Sequence, residues 1–96
     1  MADLGAVGRL LQSIDVLYGG AISGQVLDAN LQPVSHVVRG IHRKTGVVSG
    51  SAMSESSDGS YVIYTNIQFG KTPHIVIEQT HDGSENARVF DNVIPL

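Results

Sequence analysis

His36, His42, His74 and His81 are the side chains best suited to hold a metal ion or move a proton near neutral pH, so their spacing comes first. His36 and His42 lie six positions apart. On an extended strand that is about 20 Å, far more than one ion spans with Zn–N bonds of about 2 Å. His74 and His81 flank a strand-like run and are also too distant, unless the loop folds back. All four read as surface or hydrogen-bonded histidines. The loops His81-Asp82-Gly83-Ser84-Glu85-Asn86 and Glu55-Ser56-Ser57-Asp58 gather oxygen ligands but lack the alternating acids of a calcium loop, and they read as solvated turns. No serine sits in a Gly-x-Ser-x-Gly elbow, and Ser49, Ser51 and Ser54 read as strand and loop polar residues. Gly19-Gly20 precedes a strand rather than opening a helix, so it is no phosphate cradle. The expectation is a protein without catalytic, metal or cofactor residues, and not an enzyme.

Ninety-six residues with no cysteine, no tryptophan, two Phe and three Tyr must build one thin core from Val, Ile, Leu and Ala. Disulfides and cysteine-based zinc sites are excluded, which fits synthesis in a reducing compartment. A net charge of −3 with only six Lys plus Arg supplies no basic field for phosphates, so nucleic acid is not an expected partner. No stretch approaches the ~18 apolar residues of a spanning helix, and Asp3 stands where a secretory signal would be basic. The expected protein is soluble, unexported and without a membrane partner.

Two regimes meet at Gly19-Gly20. Before the pair, Leu4, Val7, Leu11, Ile14 and Tyr18 recur at alternating intervals of three and four, opposite Arg9, Gln12, Ser13 and Asp15. This predicts a short amphipathic helix with Asp3 at its start and Gly19 at its end, residues 1–20 forming helix and glycine linker and residues 21–96 a β-sandwich domain. A segment this short needs a docking surface, either its own sandwich or another subunit. The five stripe residues are the candidate assembly interface.

After the pair, six strands are predicted: Ala21 to Asp28, Val34 to Arg43, Val47 to Met53, Ser60 to Thr65, His74 to Gln79 and Arg88 to Ile94. Lys44-Thr45-Gly46, Asp58-Gly59 and Asp82-Gly83 are turn signals, so hairpins rather than crossover helices join the strands. Both faces of several strands are partly apolar. Tyr61 and Ile63 oppose Val62 and Tyr64, while Val34, Val38 and Gly40 oppose Val37 and Ile41, which share their row with Arg39 and Arg43. A helix, an added strand or a partner is expected to cover the outer face.

The succession Gly24-Gln25-Val26-Leu27-Asp28, Pro33-Val34, Lys44-Thr45-Gly46 and Ser57-Asp58-Gly59-Ser60-Tyr61 resembles the carboxypeptidase regulatory-like, or transthyretin-like, β-sandwich over residues 21–79. The loop Ala29-Asn30-Leu31-Gln32 departs from it in lacking the usual glycine, and the link from Asn66 to Thr72 is longer than expected. The hydrolase branch of that group ends in Tyr-Arg-Gly-Ser, whereas this chain ends in Asn92-Val93-Ile94-Pro95-Leu96, so that activity is not implied. A narrower resemblance runs through Val38-Arg39, Arg43-Lys44-Thr45-Gly46, Gly50-Ser51-Ala52, Ser57-Asp58-Gly59-Ser60-Tyr61, Asn92-Val93-Ile94-Pro95 and the opening Asp3-Leu4-Gly5-Ala6-Val7-Gly8-Arg9-Leu10. It is similar to small domains of tailed-phage structural proteins.

Together these readings imply an all-β chain, an Ig-like or transthyretin-like antiparallel sandwich with an N-terminal amphipathic helix. The resemblance implies a virion component of a tailed bacteriophage, made in the host cytoplasm. It would decorate the capsid or sit at the neck or tail, contacting other virion proteins and copies of itself. The competing expectation is a free-standing module that binds carbohydrate or a peptide through a sheet edge, with Tyr61, Tyr64 and Phe90 the first aromatics to suspect.

Overall fold

The computed structural model describes residues 18–80 and 86–96. They form two antiparallel sheets. β1 (Tyr18–Gln25) pairs with β4 (Ser60–Asn66), and the second sheet runs in the order β3 (Val48–Met53), β2 (Val37–His42), β5 (His74–Gln79), β6 (Arg88–Val93). All six predicted strands are present, the fifth with the ends predicted and the other five with one or both ends shifted, and the all-β reading holds. The amphipathic helix, with Leu4, Val7, Leu11 and Ile14, lies outside the described residues.

Tyr18 is a correction. Its spacing assigned it to the last turn of that helix, yet it opens β1, and Gly19 and Gly20 continue the strand instead of capping and linking. The pair serves close approach. A β-carbon on Gly19 would lie 2.6 Å from the Asn66 carbonyl oxygen, and one on Gly20 would lie 2.8 Å from Cβ of Pro95. Glycine at these positions therefore lets the 66–70 segment and residues 95–96 press against the strand.

Strand pairing sorts the second sheet into two faces, because directly opposed residues point the same way. Val38 lies opposite Ala52 and Glu78, Gly40 opposite Gly50 and Val76, and His42 opposite His74. These rows face inward. Against them β1 and β4 lay Ile22, Ile63 and Tyr61, completing a core of Ile22, Val26, Val38, Tyr61, Ile63 and Val76. The alternate rows, Val37 with Met53, Arg39 with Ile77, and Ile41 with Val48 and Ile75, face outward.

The turns carry the expected chemistry, with φ of +76° at Gly46 and +77° at Gly59. The loop lacking glycine supplies its own substitute. Leu31 takes φ +62°, the region glycine usually fills, held there by its N–H on the Asp28 carbonyl and by Asp28 Oδ1 accepting from Asn30 N and Gln32 N. The long link after β4 contains a single 3-10 turn, Ile67–Phe69, capped by the Asn66 side chain.

β6 leaves its sheet through a bulge at Asn92, φ +58°. Pro95 is then buried, and Leu96 exchanges two backbone hydrogen bonds with Ala21 of β1, at 3.0 and 2.9 Å. This clip joins the two layers at one end of the β1 edge.

Candidate functional site: a cleft between two strand edges

Beyond the clip the edges of β1 and β6 part, leaving a cleft of about 320 Å³ lined by Ile22, Ser23, Gly24, Gln25, Tyr61, Val76, Glu78, Phe90 and Val93. Most of these reach it by strand parity. Val76 and Glu78 are inner-face residues of β5, Phe90 stands opposite Val76, and Val93 opposite His74. Ala21 bonds Leu96 rather than its register partner Tyr64, so Ala21 turns its N–H and C=O away from β4. By the period of two, Ser23 and Gln25 do likewise, and their backbone groups face the cleft edge.

Glu78 is the singular group here. It is 4% exposed, and its Oε1 has no hydrogen-bond partner among the described residues. Oε2 accepts from the Tyr61 hydroxyl at 3.4 Å, a long bond that compensates little of the desolvation. Tyr61 reaches it because Gly24 has no side chain, since a β-carbon there would overlap the Tyr61 hydroxyl and ring. Burial pushes the Glu78 carboxyl above its ordinary value, opposed by the charge of Arg88, the Tyr61 hydrogen bond and His36. Burial, with the Glu78 charge and hydrogen bond, pushes the Tyr61 phenol up to about 12. A carboxyl in this setting can accept a donor from a ligand or hold a proton of its own.

At the opposite end of the inner face, His42 and His74 meet across β2 and β5 with ring centroids 5.7 Å apart. His42 stacks on Phe69 at 4.1 Å and its Nδ1 meets Thr45 Oγ1 at 2.8 Å. His74 is fully buried, and its Nδ1 lies 2.7 Å from the Thr72 carbonyl. A carbonyl only accepts, so that nitrogen carries the proton, and Nε2 has no partner among the described residues. Among the described residues no three His, Cys, Asp or Glu side chains gather as a metal site. His36 is half-buried, while His81 lies outside the described residues.

Of the three serines, Ser49 and Ser54 are tied to backbone, while Ser51 is exposed. Ser49 Oγ accepts from Asn66 N at 2.9 Å; Ser54 Oγ donates to the Val34 carbonyl and accepts from His36 N. Of the three suspected aromatics, Tyr61 is core and Phe90 lines the cleft, whereas Tyr64 packs on Tyr18 on the outer side of the two-stranded layer, centroids 5.0 Å apart.

No family model, curated protein or solved structure matches the chain. Function must therefore be argued from its own surfaces. Besides the cleft, the described residues present the outer face of the four-stranded sheet. There half-buried Ile41, Ile75 and Ile77 lie among Val48, Met53 and Val89, which are 52%, 49% and 61% exposed. Arg39 crosses the face to hydrogen-bond Gln79, and Arg43 pairs with Asp91 at its margin at 2.8 Å. Among the described residues no helix is long and apolar enough to cross a membrane.

Sequence reasoning found neither Glu78 nor the histidine pair. Glu78 follows Val76 by two, so inward parity was available. Ile75 and Ile77 supplied an equally apolar opposite row and masked it. His42 and His74 are 32 positions apart (74 − 42 = 32), a proximity that only strand register reveals.

Proposed function

We propose that the protein is an assembly module, a structural component of a tailed-phage particle at the capsid surface, neck or tail, built as an Ig-like or transthyretin-like sandwich. The observation that carries this reading is the apolar outer face around Ile41, Ile75 and Ile77, a surface better suited to burial against protein than to water. Its occupant is the stripe Leu4, Val7, Leu11 and Ile14 of a neighbouring copy. Tyr18 packs against Tyr64 on the layer opposite that face. Exchange between copies lets each module cover the next, and repeated display makes weak contacts effective. The phage context is supported by the resemblance of the turn and terminal motifs.

Sedimentation equilibrium of the full chain, a chain lacking residues 1–17, and Ile77→Lys tests the contact. The full chain is expected to associate at micromolar concentration and both variants to be monomeric. A full chain still monomeric at 100-fold higher concentration removes the assembly reading. Expression together with the genes flanking its own is expected to place the protein in purified particles, and intact particles without it would sink the virion role.

A further inference from the structure

The geometry points to the cleft between β1 and β6 as a receptor for a primary ammonium group on a short apolar stem. This goes beyond assembly and does not depend on it, because the cleft opens between strand edges and not on the outer face.

Three observations carry it. The first is the vacant acceptor: Glu78 is 96% buried (100 − 4), and one of its oxygens is unpartnered among the described residues. Native folds rarely leave such an atom unmatched unless a ligand or bound water completes it. The second is the wall. Ile22, Val76, Phe90 and Val93 surround the approach with hydrocarbon, which suits methylenes and disfavours a sugar, whose hydroxyls would go unmatched. The third is charge. Among the described residues Glu78 is the only acidic side chain lining the cleft, and no cation among them lines it.

Among the described residues, the charged or titratable groups facing Glu78 come from three elements: Tyr61 from β4, Arg88 from β6 and His36 from the segment before β2. Arg88 acts through space, and no hydrogen bond joins it to Glu78 among the described residues. An ammonium offers three donors. The Glu78 carboxyl, which lines the cleft, takes one, and the carbonyls of Ser23 and Gln25 lie along the same edge for the others. About 320 Å³ accommodates a butyl chain with its head group, which is also the side chain of lysine.

The amine can therefore arrive free or as a lysine on an extended peptide paired with the β1 edge, and the test separates these sources. The purified chain is titrated with n-butylammonium, with n-butanol, and with a Val-Lys-Val peptide capped as N-acetyl and C-terminal amide and its lysine-acetylated form, following backbone amide shifts of the cleft residues. n-Butylammonium is expected to saturate in the millimolar range and to bind at least tenfold tighter than n-butanol. A free-amine site gives the peptide the same affinity as n-butylammonium, whereas an edge-pairing site gives it at least a tenfold gain that acetylation abolishes. Glu78→Gln, checked for a native spectrum, is expected to weaken n-butylammonium at least tenfold and leave n-butanol unchanged. In the unsubstituted protein, affinity is expected to rise with pH as Glu78 ionises, which keeps the test decisive if the variant misfolds. Equal binding of amine and alcohol, or a flat pH profile, overturns the proposal. Loss of self-association in the assembly experiment leaves these titrations unaffected, so the two readings fail separately.

Discussion

Glu78 concentrates the chemistry of this small sandwich in one carboxyl. The Tyr61 hydroxyl at 3.4 Å is its hydrogen-bond partner, and burial raises its proton affinity despite Arg88 and His36. The sign of its effect on stability follows from linkage: the folded state holds the Glu78 proton more tightly than the unfolded chain does. Stability from this group is complete below the ordinary glutamate value and is lost as pH rises through the higher folded value. Asp58 and Asp91, whose carboxyls are held below their ordinary values by Ser60 and Arg43, act in the opposite sense at lower pH but are fully exposed. Between the ordinary glutamate value and neutrality the Glu78 contribution lowers stability as pH rises. Thermal unfolding is expected to show Glu78→Gln gaining on the parent as pH rises, with the difference vanishing toward pH 4. Parallel curves for the two proteins would mean that the carboxyl is already solvated or paired in solution.

At the scale of elements, legibility followed periodicity. The six strands could be read because Gly46, Gly59 and Pro33 punctuate runs of β-branched residues. Their faces could be read only where one row was polar. In β4 the row Tyr61, Ile63 and Thr65 is buried while Val62, Tyr64 and Asn66 are exposed, although both rows contain aromatic and aliphatic side chains. Pattern alone could not rank them, since burial was decided by which sheet lay opposite. The same limit explains Tyr18: three-and-four spacing continued one step into a strand whose glycines are there for close packing. The closure by residues 95–96 was invisible because it is made of backbone atoms. Deleting Pro95 and Leu96 removes two hydrogen bonds to Ala21, about 1 kcal/mol each, and the buried Pro95 ring, roughly 1 kcal/mol more. The expected loss is about 2–3 kcal/mol, read as a lower urea midpoint with little change in slope. A shift under about 0.5 kcal/mol would show that the layers hold together without the clip, and that the cleft is not bounded by it.

For the whole molecule, the imbalance between inside and outside is the decisive feature. Among the described residues the interior spends positions on His42, His74, Thr65, Ser49, Ser54 and Glu78, beside a core cluster of Ile22, Val26, Val38, Tyr61, Ile63 and Val76. Meanwhile Val48, Met53, Val62, Tyr64, Val89 and Phe90 remain about half exposed. On the proposed assembly reading, a sandwich so arranged has much to gain by covering its outer sheet, and folding would be coupled to association. Its unfolding midpoint should therefore depend on protein concentration. For a dimer that dissociates as it unfolds, a hundredfold increase in concentration contributes about 1.4 kcal/mol per chain, a rise on the order of 5 °C or more for a domain of this size. Calorimetry from 5 to 500 µM measures this directly. A midpoint constant across that range would show a self-sufficient monomer whose apolar face serves a different protein or none. Ile77→Lys, in the centre of that face, is expected to abolish the dependence while leaving the dilute midpoint within about 1 kcal/mol of the parent, because its side chain points away from the core.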